Sequence, residues 1–160
     1  MRLRIWRFLT ILLMAIAMSA ALFHAMELVP KMDYDARLYV ELHRTLYRYV
    51  GPTAGVAEFL ATLAVITLTW RVRADQRVFL PTAISAALML TAHVLFYVVV
   101  QPANTTMAAW SLEAIPAEWT SWRDRWEYGH AARAGLILVA FCALVISALG
   151  GGEEGRAKDR

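Results

Sequence analysis

FLTILLMAIAMSAALFHAMELV, residues 8–29, has only two ionisable side chains, His24 and Glu27, and both stand near its end. A hydrocarbon core of about 30 Å takes roughly twenty apolar helical residues to cross, so this stretch is long enough to span a membrane. Three further runs have the same character: residues 53–70, 79–100 and 128–149. The whole chain of 160 residues is 59% hydrophobic and only 18% charged, one domain's worth of material that is too apolar for an ordinary soluble fold. The expected fold is therefore an all-α membrane protein, a four-helix transmembrane bundle within residues 1–150. A signal peptide cut at Ser19-Ala20-Ala21 fits less well, because the apolar run continues past that site at transmembrane length.

Basic residues set the expected orientation. With both termini cytoplasmic, the inner segments carry nine Lys/Arg against four Asp/Glu, and the outer loops six against seven. That asymmetry places both termini inside, in what reads as a bacterial inner membrane. The positive net charge thus reflects topology and gives no reason to expect nucleic acid. Tryptophan agrees: Trp6 and Trp70 fall at the inner interface, and Trp110, Trp119, Trp122 and Trp126 in or beside the second outer loop.

Between the first two spans, residues 34–50 carry Leu38, Leu42, Leu46 and Val50 four apart with arginines between them, the pattern of an amphipathic helix on the outer surface. Gly51-Pro52 is expected to end it, and Glu41 and His43 on it to be solvated. The second outer loop, residues 101–126, reads as an ordered cap of turns and one short helix. The Gly-rich, polar segment 151–160 reads as a disordered tail. Cys142 is the only cysteine, which removes dithiol chemistry and is expected to be a small buried residue of the last span.

Four spans each contribute ionisable groups at similar depth. At about 1.5 Å per residue, His24, Glu58, His93 and His130 lie some 6 to 12 Å below the outer ends of their spans. Such groups are costly in hydrocarbon and should face the bundle interior, a partner or water. The first span reads His24-x-x-Glu27 and the last, running the other way, Glu127-x-x-His130. Antiparallel packing turns that reversed spelling into one layering, histidines deeper and glutamates shallower, with Glu58 and His93 closing the ring. Soluble carboxylate bundles hold two metals with similar sets. The six residues His24, Glu27, Glu58, His93, Glu127 and His130 are accordingly the expected ligands of a transition metal, iron or copper first, with zinc or manganese also suited.

Glu58 and Arg133 are the expected catalytic residues, Glu58 moving protons and Arg133 steadying negative charge or forming a structural salt bridge. Other readings stay open. Two of the three deep histidines could ligate haem. Glu58 alone could centre a small proton-coupled transporter or binding protein. The polar groups could also only tie helices together. Phe23, Phe59, Phe96, Tyr97, Trp126 and Tyr128 around the layer suit a lipid-soluble, aromatic substrate. The bilayer is the one partner required, and self-association is left open.

QPANTTMAAWSLEAIPAEWTSWRDRWEYGHAARAGL, residues 101–136, resembles the second half of the small four-span membrane proteins of the anthrone-oxygenase-like family. The likeness runs through Pro102-x-Asn104, Trp110, Pro116-x-x-Trp119, Arg123 and Trp126-Glu127-x-x-His130-x-x-Arg133. With the opening HAMELVPK and Glu58 it covers most of the chain outside the tail. It implies a four-helix transmembrane bundle and, from the fungal members, oxidation of an activated aromatic carbon by molecular oxygen. The sequence as a whole points to a membrane-embedded oxidoreductase or oxygenase-like protein with a His/Glu site in the outer third of the bundle.

Overall fold

The structure, a computed structural model, describes residues 2–158. It is all helical apart from turns and one isolated bridge between Ser111 and Ala114. In chain order the helices are α1 (Arg2–Met26), α2 (Leu28–Met32), α3 (Ala36–Leu42), α4 (Arg48–Arg71), α5 (Gln76–Leu95), α6 (Gln101–Ala108) and α7 (Trp119–Lys158). Wide π turns at His43–Tyr47 and Phe96–Val100 join α3 to α4 and α5 to α6. Four helical stretches are long and apolar enough to cross a membrane, so the chain is an integral membrane four-helix bundle.

Packing follows from side-chain size. Inside a bilayer the hydrophobic effect does not drive helices together, so close approach depends on small residues at the seams. The mid-bundle core accordingly interleaves Ala17, Ala61 and Ala140 with Met14, Val65, Met89 and Ile137, while large apolar residues such as Phe8, Ile16, Val139 and Leu149 point outward. α1 packs on α4 and α7, and α5 packs on the same two helices, which closes a four-membered ring. The α4–α5 seam is the loosest of the four. At the end of the bundle where the chain begins, the guanidinium of Arg71 stacks on Trp6 at 4.7 Å and that of Arg73 on Trp70 at 4.5 Å.

The other end is aromatic. Tyr39, Val40, Val100, Ala103, Met107, Trp110 and Trp126 form a second core beneath the loops. The amphipathic segment expected over 34–50 is helical, but Gly51-Pro52 does not end it: helix continues from Ala36 through the π turn and Pro52 to Arg71. The leucine stripe faces outward, with Leu38 and Leu46 exposed, whereas Tyr39, His43 and Tyr47, also four apart, face the bundle. His43 is therefore packed inside rather than solvated; Glu41 is exposed. The second loop matches the expected cap, with α6 as its short helix and turns over 109–118. Cys142 is exposed on the outer, apolar surface rather than buried, because it sits on the face of α7 opposite the Ile137–Ala140–Leu144 seam. The backbone of 151–158 continues α7 as helix where composition suggested disorder, and residues 159–160 lie outside the described residues.

Gly129 sits where two helical segments approach closely. A methyl group there would come within 2.9 Å of Val100 Cγ2 and 3.1 Å of Val99 Cγ1, across the seam between α7 and the Phe96–Val100 turn. Gly129→Ala is expected to cost about 1–3 kcal/mol by overpacking, read as a lowered unfolding temperature in detergent. Gly135→Ala, which meets nothing within 4 Å, should be neutral or slightly stabilising. Equal behaviour of the two variants would mean that the seam is not tight.

Candidate functional site

The reversed spelling on α1 and α7 brings its residues to one depth. The rings of His24 and His130 meet edge to face with centroids 4.3 Å apart, and Glu27 and Glu127 both reach Lys31 Nζ, at 2.9 and 3.6 Å. Around them a cavity of about 1290 Å³ opens along the loose α4–α5 seam, with α1 and α7 as its back wall. His24, Glu27, Glu58, His93, His130 and Arg133 all line it; Glu127 does not.

Arg133 organises the floor. Its guanidinium forms a buried ion pair with Glu58 on α4, donates through Nε to the Ala92 carbonyl of α5 at 3.1 Å, and through Nη1 to His130 Nδ1 at 3.2 Å. It also lies 4.9 Å from the centre of the Phe96 ring. A buried cation needs this degree of satisfaction, since its desolvation otherwise exceeds the gain from one counter-ion.

The partners of each histidine set which nitrogen carries the proton in the neutral ring. Arginine can only donate, so His130 Nδ1 accepts and its Nε2 bears the hydrogen. The Thr62 hydroxyl donates to the Glu58 carbonyl at 2.8 Å, so at 2.9 Å it accepts from His93 Nε2. His93 Nδ1 then keeps a free lone pair. His24 Nδ1 faces Glu27 Oε2 at 3.4 Å, which favours a proton on Nδ1 and leaves Nε2 as the acceptor; that atom is buried without a partner. His43 Nδ1 donates to the Tyr39 carbonyl at 2.9 Å and likewise leaves a buried, unpartnered Nε2.

A second polar cluster supports the first. Lys31, only 2% exposed, holds Glu27 and Glu127, with its ammonium 4.3 Å from the Tyr47 ring centre and 4.9 Å from that of Trp126. Tyr47 donates to Glu27, and Tyr39 to Glu127 at 3.1 Å. Trp126 is the hub: His24, His43 and His130 stand 4.4 to 4.5 Å from its ring, and its indole N–H donates to Asn104 at 2.6 Å. Lys31, Tyr39 and Tyr47 were not singled out from the sequence, His43 was expected to be solvated, and Asn104 entered only through the family likeness. The i, i+4 spacings of Glu27–Lys31 and Tyr39–His43–Tyr47 were their available signal.

The six expected ligands thus divide. Glu58 is committed to Arg133, Glu127 to Tyr39 and Lys31, and Glu27 to Tyr47 and Lys31, while His130 already accepts from a cation. Among the described residues no group of three or more His, Cys, Asp or Glu side chains is arranged to hold a metal ion. The His24 and His130 rings touch, which leaves no gap for a porphyrin between them. What the floor does bring together is a fixed cation, a ring N–H donor and ring nitrogens with free lone pairs, at the base of an apolar-walled cavity. Compared with protein-family models, with curated proteins and with solved structures, the chain finds no match.

Arg133→Met leaves the Glu58 carboxylate buried without its counter-charge and is expected to cost about 3–5 kcal/mol. Adding Glu58→Met should restore much of that loss, because an apolar pair leaves no orphan charge. Unfolding of the single and double variants in detergent reads this directly; a double variant no better than the Arg133 single would show that the two charges are not coupled.

Proposed function

We propose that the protein is a membrane-embedded oxidoreductase that oxidises a lipid-soluble aromatic compound bearing an acidic C–H or O–H group, the ring lying in the α4–α5 cavity. The observation that carries this reading is the grouping, at one cavity floor, of the donors Arg133 and His130 with an unpartnered basic nitrogen, His24 Nε2, which the Trp126 and His130 rings enclose and which a substrate reaches when those rings shift. A group that loses a proton needs an acceptor within hydrogen-bond reach and stabilisation of the charge it leaves behind. His24 Nε2 accepts the proton, and Glu27 steadies the imidazolium as an orienting carboxylate. Arg133 and His130 Nε2–H face the developing oxyanion.

The resemblance to anthrone-oxygenase-like proteins suggests molecular oxygen as oxidant. In that chemistry the substrate carbon gives its proton to His24 and its electron pair becomes an enolate. The enolate adds oxygen to form a peroxide anion, the peroxide takes the proton back from His24, and loss of water leaves a carbonyl; with a quinol the two hydroxyl protons and two electrons pass instead to oxygen, giving the quinone and hydrogen peroxide. Glu58 keeps Arg133 in place rather than carrying protons, which weighs against the transporter reading, since a proton carrier must be free to release its counter-ion. The Lys/Arg asymmetry adds the expectation of a bacterial inner membrane with both termini cytoplasmic. A reporter fused after Arg160 should then be cytoplasmic and one inserted near Glu113 external, and the opposite pattern overturns that orientation.

The chemistry is tested by oxygen uptake of the purified protein in nanodiscs with anthrone and alkylated naphthoquinols. His24→Phe should lower turnover by about 10²-fold or more while binding of the same compounds, followed by quenching of tryptophan fluorescence, changes little. Wild-type turnover in His24→Phe, or no binding of any of these compounds, would sink the reading.

A further inference from the structure

The cavity is far longer than an aromatic ring needs. Its wall along the His43–Tyr47 turn and α4 runs from Arg44 to Ile66, roughly 30 Å at 1.5 Å per residue, close to the thickness of the hydrocarbon core. The His/Arg floor sits part-way along it. Above the floor the rim is polar, with Arg44, Arg48, Gln101 and Asn104. Below it, towards mid-membrane, the lining is apolar: Ala20 and Ala21 on α1, Leu60, Leu63 and Ile66 on α4, and Leu90 on α5. This lower arm reaches about 12 Å past Glu58 along the helix axis. Thr62, at its mouth, spends its hydroxyl on the Glu58 carbonyl and His93. The two alanines on the back wall leave it width, and Leu63, Ile66 and Leu90 are 40 to 48% exposed, so the arm opens sideways to lipid.

We propose that the substrate is an alkyl- or isoprenyl-substituted phenol or quinol rather than a compact polycycle, its ring on the His/Arg floor and its chain in this apolar arm. The assignment rests on the cavity being the substrate site, and it adds the chain. Inside a bilayer the chain gains little from leaving lipid, so the arm acts by fit: it threads the tail towards mid-membrane and thereby turns the ring's polar edge to Arg133 and His130. A bare polycycle has no such anchor. The same arm gives the substrate a lateral way in from the bilayer without crossing the polar rim.

The test uses 4-dodecylphenol carrying a diazirine at the chain end, photolysed with the full-length protein in nanodiscs and mapped by peptide mass spectrometry. Labelling is expected on Leu63, Ile66 and Leu90, displaced by excess unlabelled dodecylphenol and reduced at least fivefold by Ala21→Trp, which fills the arm. Leu63→Trp narrows it from the other wall and keeps the test decisive if the first variant does not fold. Labelling spread over outward residues such as Leu12 and Val139 in proportion to their exposure overturns the assignment. Equal labelling of the arm by a phospholipid with the same chain-end diazirine overturns it too, since the occupant is then an ordinary acyl chain. If the arm is labelled as expected but no quinol or anthrone consumes oxygen, the oxidation reading fails and the tailed ligand stands.

Discussion

A guanidinium held within the bundle is the constraint around which the polar layer is built. Arg133 on α7 reaches a carboxylate on α4, a backbone carbonyl on α5 and an imidazole one turn away on its own helix. Three of the four spans are thereby tied at one depth. The Ala92 carbonyl is available because the chain widens there: the Phe96 N–H, where the π turn begins, is shared between the carbonyls of Ala92 and His93. π turns inside helices frequently accompany functional sites. Here the widened turn serves a specific need, a backbone acceptor for a buried cation.

The second polar cluster fixes the first from above. Lys31 is buried between two glutamates and two aromatic faces, so α2 is clamped to α7 and to the His43–Tyr47 turn. Each glutamate also takes a tyrosine hydroxyl, which spreads its charge over several partners. The result is a wall of aromatic rings around Trp126 against which three imidazoles are held in fixed orientation. Rings packed in this way have few alternative rotamers, so each imidazole keeps the same partners at rest.

The layer itself was legible in the sequence; the directions within it were not. Reversed spelling on α1 and α7 required His24 and His130 to share a depth, and they do. Residues three apart on a helix are still about 60° apart in rotation, enough to turn Glu127 towards Tyr39 and Lys31 while His130 faces the cavity. No count of histidines and glutamates contains that angle. The four spans were similarly plain from hydropathy, whereas the continuous path through Gly51-Pro52 was not, because a π turn just before the proline lets the helix absorb a residue that usually marks its end. The leucine stripe misled for a related reason: in lipid the apolar face of a helix points outward, so the informative face was the aromatic one at Tyr39, His43 and Tyr47.

The inward geometry also shows how a set of side chains resembling a carboxylate metal shell is held together by the chain's own charges. A metal ion in such a bundle draws carboxylates and imidazoles to one point and holds them by its charge. Arg133 performs part of that task with a charge that is covalently attached: it binds one carboxylate, orients one imidazole and leaves its planar cation at the cavity floor. Once that position is filled, the remaining groups pair among themselves, Glu27 and Glu127 with Lys31, and His93 with Thr62. The lone pairs left over belong to imidazoles, His24 Nε2 foremost. On the proposed reading, the permanent cation would hold the anion that results when an unused imidazole nitrogen takes a proton from a bound ring.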